Sequence, residues 1–211
     1  MADLEALSTA APQLAVLTFE DCDLSIIGPA DPVAHLPESL HTLHIRHDTF
    51  PAEVILSRID APGLECLEID VAVAYVGHPQ GRIYPPRTFP SVHRLIIHMA
   101  QSSTSLGTYD GYHFSLTPRA TSFHIVDIYG RCDHIVRCLA SHPAYLPDLR
   151  SLTVDVEFVS RVGVLREPLT VLLSSRRDTL EMVNLSPNLF GDLGEGLLEE
   201  LGGGPVQVSC T

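Results

Sequence analysis

The strongest constraint on this chain is a spacing. Within PQLAVLTFEDCDL, residues 12–24, Leu14, Leu17, Phe19, Cys22 and Leu24 fall on L-x-x-L-x-L-x-x-[N/C]-x-L. A single match means little, because short apolar runs with this spacing occur in ordinary strands. Six further apolar triples follow it: Leu40-Leu43-Ile45, Leu64-Leu67-Ile69, Val92-Leu95-Ile97, Ala120-Phe123-Ile125, Leu149-Leu152-Val154 and Leu180-Val183-Leu185. Their first positions are separated by 26, 24, 28, 28, 29 and 31 residues, and a proline stands two residues before the first apolar position in five of the seven.

That recurrence is the signature of the leucine-rich repeat, whose period is about 20–29 residues. The expected fold is α/β: a leucine-rich-repeat solenoid with a curved parallel sheet, about seven irregular repeats, and short helices and loops on the convex side. Residues 1–190 form the solenoid and residues 191–211 an acidic C-terminal cap segment of the same domain. In the last repeat Asn188 fills the slot that Cys22 fills in the first, where such a side chain bonds free backbone groups at the strand's end. Asp48, Ala72, Ala100, Ile128 and Glu157 occupy it in the middle repeats, so the ladder there is degenerate.

Between the triples, apolar residues at three-to-four spacing predict helices over Asp3–Thr9, Pro51–Asp60, Asp133–His142 and Glu167–Arg177. Val73–Phe89 and Gln101–Thr117 are rich in Gly, Pro, Ser and Thr and read as long loops, holding Tyr75, Tyr84, Tyr109, Tyr112 and Phe114. Near the end, Leu193–Leu201 reads as a short acidic helix and Val206–Val208 as a terminal strand.

A hydrophobic fraction of 45% with 18% charged residues describes a globular chain rather than a disordered one. Thirteen basic against 26 acidic side chains leave a charge of −13, a field that repels polyphosphates and argues against nucleic acid and anionic membranes as partners. The first residues carry acids where a secretory leader carries bases, and no window approaches the ~18 apolar residues of a membrane span. The expected location is cytoplasmic or nuclear. Cys22, Cys66, Cys132, Cys138 and Cys210 form no C-x-x-C pair and are read as buried free thiols.

On a parallel sheet the second and third residues of each triple point into the core, and those beside them face outward. One outward column is then Thr18, His44, Glu68, Ile96, His124, Thr153 and Asn184; the next is Glu20, Arg46, Asp70, His98, Val126, Asp155 and Ser186. Strands lie ~4.8 Å apart, so neighbours within a column can touch. His44, Arg46, Glu68, Asp70, His98, His124 and Asp155 therefore form the candidate binding face, with Tyr84, Tyr109 and Tyr112 as loop anchors. Imidazoles and carboxylates also suit zinc, but rungs of a flat sheet rarely converge on a tetrahedral point, and the reading is a protein-binding patch with no metal and no cofactor. H-x-x-H-x-x-H at His41, His44 and His47 puts His44 on the opposite side of a strand from the other two, and Cys132 and Cys138 lie nearly two helical turns apart. No G-x-S-x-G, H-E-x-x-H, P-loop or dinucleotide fingerprint is present, and no enzyme is predicted.

The runs PGLECLEIDV, PSVHRLIIHM and PDLRSLTVDV, with the helix-then-strand stretch PLTVLLSSRRDTLEMVNLSP, resemble the repeat region of fungal F-box proteins with leucine-rich repeats. The resemblance spans about Leu4 to Phe190. It implies repeats that hold a substrate for a cullin–RING ubiquitin ligase, with a Skp-type adaptor docked on an N-terminal F-box. No F-box fits ahead of Pro12, and the first repeat is of the interior type. The expectation is that this end is covered by further sequence, by a partner or by a second copy of the chain; the alternatives to a ligase link are a structural or self-associating fragment and, behind it, a metal-dependent enzyme using the His-rich concave face.

Overall fold

The computed structural model describes residues 2–20, 32–46, 52–72, 87–100, 111–127, 132–157, 162–191, 193 and 206–210. In chain order the elements are α1 (Ala2–Ala10), β1 (Val16–Glu20), β2 (Ala34–His35), β3 (Thr42–Arg46), α2 (Ala52–Leu56), β4 (Ile59–Asp60), β5 (Cys66–Ala72), β6 (Arg94–Ala100), α3 (Tyr112–Leu116), β7 (Ser122–Asp127), α4 (Asp133–Ser141), β8 (Ser151–Val156), α5 (Val162–Ser175), β9 (Met182–Leu185) and β10 (Gln207–Cys210). Eight strands form one sheet in the order β1-β3-β5-β6-β7-β8-β9-β10, and β2 pairs with β4 in a second. Every pairing is parallel.

The prolines explain how each strand begins. In the five repeats that carry one, the first apolar residue donates its N–H to the carbonyl three residues back: Leu14 to Ala11, Leu64 to Ala61, Val92 to Phe89, Ala120 to Thr117 and Leu149 to Leu146. Proline is thus the second residue of a four-residue turn, where its fixed φ is already correct. Gly63 sits beside Pro62 in one such turn, and a Cβ there would lie 2.1 Å from the Glu38 carbonyl oxygen. Only glycine allows that approach. After each turn one carbonyl accepts two successive N–H groups of the next repeat; His41 serves Glu65 and Cys66, and Glu65 serves His93 and Arg94.

Register places the second and third apolar residues in line, Leu43 with Leu67 and Leu95, Ile45 with Ile69 and Ile97. These residues are 0–1% exposed and share one core with Ile55 and Leu56 of α2, Phe114 of α3, Ile135 and Leu139 of α4, and Leu169, Leu172 and Leu173 of α5. The helices therefore cover one face of the sheet and leave the other open. Leu17 and Phe19 of β1, an edge strand among the described residues, remain only partly buried, and Val16 is 48% exposed.

Several expectations need correction. The helix read over Pro51–Asp60 ends at Leu56, and Ile59 and Asp60 form β4, where a β-branched residue suits a strand and Asp60 takes the His35 ring nitrogen at 3.0 Å. The helix read from Glu167 begins at Val162, so Pro168 lies inside α5 rather than at its start. Tyr112–Leu116, read as loop, is helix α3; residues 87–89, 111 and 117 are irregular as expected, and 73–86 and 101–110 lie outside the described residues. Cys132 and Cys138 are buried thiols as expected, but Cys66 is half-buried and Cys210 exposed, and Cys22 is outside the described residues. The acidic helix over Leu193–Leu201 also falls almost wholly outside them, whereas the terminal strand appears as β10.

Candidate functional site

The open face is organised by Glu68. It stands at the centre of β5, between His44 of β3 and Ile96 of β6 in strict register. Its Oε1 accepts from Arg46 Nη2 at 3.1 Å, and His44 Nε2 lies 3.4 Å from Oε2. His98 Nε2 is 3.0 Å from Oε1, yet makes no aligned hydrogen bond, so the contact is an ion pair only when the ring carries its second proton. The carboxylate is 8% exposed. Burial pushes its pKa up, but the Arg46 hydrogen bond and the charges of His44, His98 and Arg46 outweigh it and hold the group below its ordinary value. The expected column of Arg46, Asp70 and His98 is only partly the working unit. Asp70 and His98 are register partners, but Arg46 and His98 both reach diagonally to Glu68.

His124 lies on β7 beyond Ile96, in register with Thr153. Its Nε2 is buried without a hydrogen-bond partner. Burial holds this imidazole below its usual pKa, Asp155 opposing and Arg94 and His98 reinforcing. From there the column is polar and self-bonded: Asn184 Nδ2 donates to Thr153 Oγ1 at 3.3 Å, and Ser209 Oγ donates to Asn184 Oδ1 at 2.5 Å. Cys66, between Thr42 and Arg94, has its thiol pushed up by burial and by Glu68, with Arg94 opposing.

At the carboxyl ends of β7, β8 and β9 the face drops into a cleft of about 270 Å³. Val126, Val156 and Pro187 give it apolar walls, and Asp155 and Glu157 stand at it as exposed carboxylates. Neither carboxylate has a cationic partner among the described residues. Ser186, expected on the open face, is instead buried: its hydroxyl accepts the Val156 N–H at 3.1 Å and donates to the Val156 carbonyl at 3.2 Å. Asn188 donates to the Glu157 carbonyl at 3.1 Å, the backbone bond expected of its slot, but it does so as an exposed residue rather than turned inward. Asp127, 1% exposed, accepts the Cys132 N–H at the start of α4. Burial, and then the Asp127 carboxylate, push the Cys132 thiol well above its ordinary value.

Of the residues expected on the face, His44, Arg46, Glu68 and His98 are brought together, with Asp70 alongside. His124 is one strand beyond, and Asp155 lies in the cleft. Tyr84 and Tyr109 are outside the described residues. Tyr112 is corrected: it is 3% exposed, packed in the core with its ring edge-on to His113, and is no surface anchor. Glu157 was overlooked as a site residue although its repeat slot puts it beside Asn188. Among the described residues no group of three or more potential ligands could hold a metal ion, and no helix is long and apolar enough to cross a membrane.

No protein-family model matches the chain. No curated protein matches it. Among solved structures, the chain is similar to the leucine-rich repeat-containing protein LegL7 from Legionella pneumophila, with a TM-score of 0.37 and 12% identity, over 98% of this chain and 86% of that one. The parallel register and the repeated turn-strand units make this chain a leucine-rich-repeat solenoid on their own terms.

Proposed function

We propose that the chain is a non-enzymatic protein-recognition module whose partner contacts the open face of the sheet, centred on the cleft between β7 and β9. The observation that supports this most is the pair of exposed carboxylates, Asp155 and Glu157, against apolar walls and without a cationic partner among the described residues. A lysine or arginine of a partner protein fits such a cleft, its stem on Val126, Val156 and Pro187 and its charge on the acids. His44, Arg46, Asp70, His98 and His124 border the contact surface on the neighbouring strands, with the Glu68 carboxylate engaged by partners of its own chain. Extended sheet faces of solenoids commonly serve recognition.

The finer reading follows from the sequence resemblance: repeats that hold a substrate for a cullin–RING ubiquitin ligase, in the cytoplasm or nucleus. Binding measured against candidate partners tests the module. Asp155→Arg with Glu157→Arg abolishes it, and Val171→Arg on the solvent side of α5 leaves it intact. Equal binding by both variants and the parent would remove the open face from consideration. Self-association is the second reading, favoured by the exposed Val16 and partly buried Leu17 and Phe19 of β1. Sedimentation at rising concentration decides it, since a monomer throughout excludes this use of β1.

A further inference from the structure

All thirteen basic side chains of the 211 residues are arginine; the chain contains no lysine. Lysine is ordinarily among the commonest residues of a soluble protein. At some positions the geometry requires a guanidinium. Arg176, 4% exposed, donates to the carbonyls of Leu146 (2.9 Å), His142 (3.4 Å) and Tyr145, holding the segment between α4 and β8 with a fork that an ammonium cannot reproduce. Arg137 spans Asp133 and Glu167, and Arg46 reaches Glu68 from an adjacent strand.

Other positions carry no such requirement. Arg94, Arg119 and Arg177 are exposed, and among the described residues their side chains make no hydrogen bond or ion pair. Arg119 sits in the turn before β7 and Arg177 in the turn after α5. A solvated, unpaired cation there serves solubility equally well as lysine. Packing and pairing therefore explain arginine at Arg176 and Arg46 but not its exclusive use.

The chemical difference that remains is nucleophilicity. In lysine conjugation the neutral ε-amine attacks the carbonyl carbon of an acyl thioester; a C–N bond forms, the C–S bond breaks, the thiolate leaves, and the amine proton passes to a base. Lysine undergoes acetylation and ubiquitin transfer by this route, whereas a guanidinium stays protonated and offers no free electron pair. We propose that the all-arginine surface makes this chain refractory to amide-forming acylation of its side chains, lysine-linked ubiquitin conjugation above all, so that it can work beside a thioester-charged conjugating machinery without being marked itself. Its use beside that machinery rests on the ligase reading given above, while its chemistry does not depend on which partner the open face holds.

The test installs the missing amine where no contact is lost. Arg119→Lys with Arg177→Lys is compared with the parent chain in cells, using a lysine-free tag, by denaturing capture of ubiquitin conjugates and by chase with and without proteasome inhibition. With the α-amine of the expressed chain blocked by acetylation in both proteins, the parent is expected to show no conjugate ladder. The variant gains one and falls several-fold in steady-state abundance, a fall that proteasome inhibition reverses. An unchanged thermal midpoint excludes destabilisation as the cause. A ladder of equal strength on the parent, or a variant with neither ladder nor fall in abundance, overturns the proposal. Both positions lie off the open face, so partner binding reads the recognition function separately.

Discussion

Glu68 and Asp155 stand on the same open face, three strands apart, and are treated in opposite ways. Glu68 is 8% exposed and meets Arg46, His44 and His98. Asp155 is exposed, faces a cleft, and has no cationic partner among the described residues. Removing a charge from water is costly unless partners compensate, so the buried carboxylate has its partners within the chain. The exposed one leaves its electrostatic capacity for another molecule. The difference teaches that charge alone does not mark a recognition site; one cluster ties strands together, and the other, with no cationic partner among the described residues, is the one proposed to bind.

The largest effect that would sharpen this contrast is on folding. Glu68→Gln leaves Arg46 and two imidazoles without their carboxylate, and a loss of about 1–2 kcal/mol is expected, since Arg46 is half-exposed and solvent screens part of the pair. Urea unfolding at neutral pH measures it. Next comes its pH dependence. The folded pKa of Glu68 lies below the unfolded value of about 4.3, so its stabilisation is complete above that pH and is lost as pH falls through the folded value. The acid limb of the stability profile therefore flattens in Glu68→Gln. His124 is also held below its ordinary value, about 6.5, and favours the fold while neutral; stability declines as pH drops from there, and His124→Asn removes that decline.

On the other side of the contrast, Asp155→Asn changes stability by no more than about 0.5 kcal/mol, because the carboxylate is exposed and makes no ion pair among the described residues, acting on His124 only through its charge. A loss comparable to that of Glu68→Gln would break the contrast. Smallest of all is Arg150→Ala. Its pair with Glu181 at 3.1 Å has both side chains about two-thirds exposed, and a change of about 0–0.5 kcal/mol is expected in the same unfolding assay.

The ladder was legible in the sequence because a turn, a strand and a period of two dictate which side chains face the core. Leu43, Ile45 and their counterparts could be placed from spacing alone, and so could the register of His44 with Glu68. What escaped is what spacing does not encode. Arg46 and His98 reach Glu68 across a diagonal that depends on side-chain length. Ser186 turns in to bond Val156, where the column rule turned it out. Tyr112 is in the core because residues 112–116 close into a helical turn, whose Phe114 meets Phe123 edge-on at 5.2 Å. Arg176 gave no periodic signal, since its partners are backbone carbonyls some thirty residues earlier.

The most direct measurement of the central claim places Glu68→Gln and the pair Asp155→Arg, Glu157→Arg in one experiment, reading the unfolding midpoint and partner affinity of each. The account predicts that Glu68→Gln lowers the midpoint and leaves affinity near that of the parent where the variant is folded, while the cleft pair keeps the midpoint and loses the partner. Full affinity in the cleft pair, or loss of affinity in Glu68→Gln at an unchanged midpoint, would contradict it.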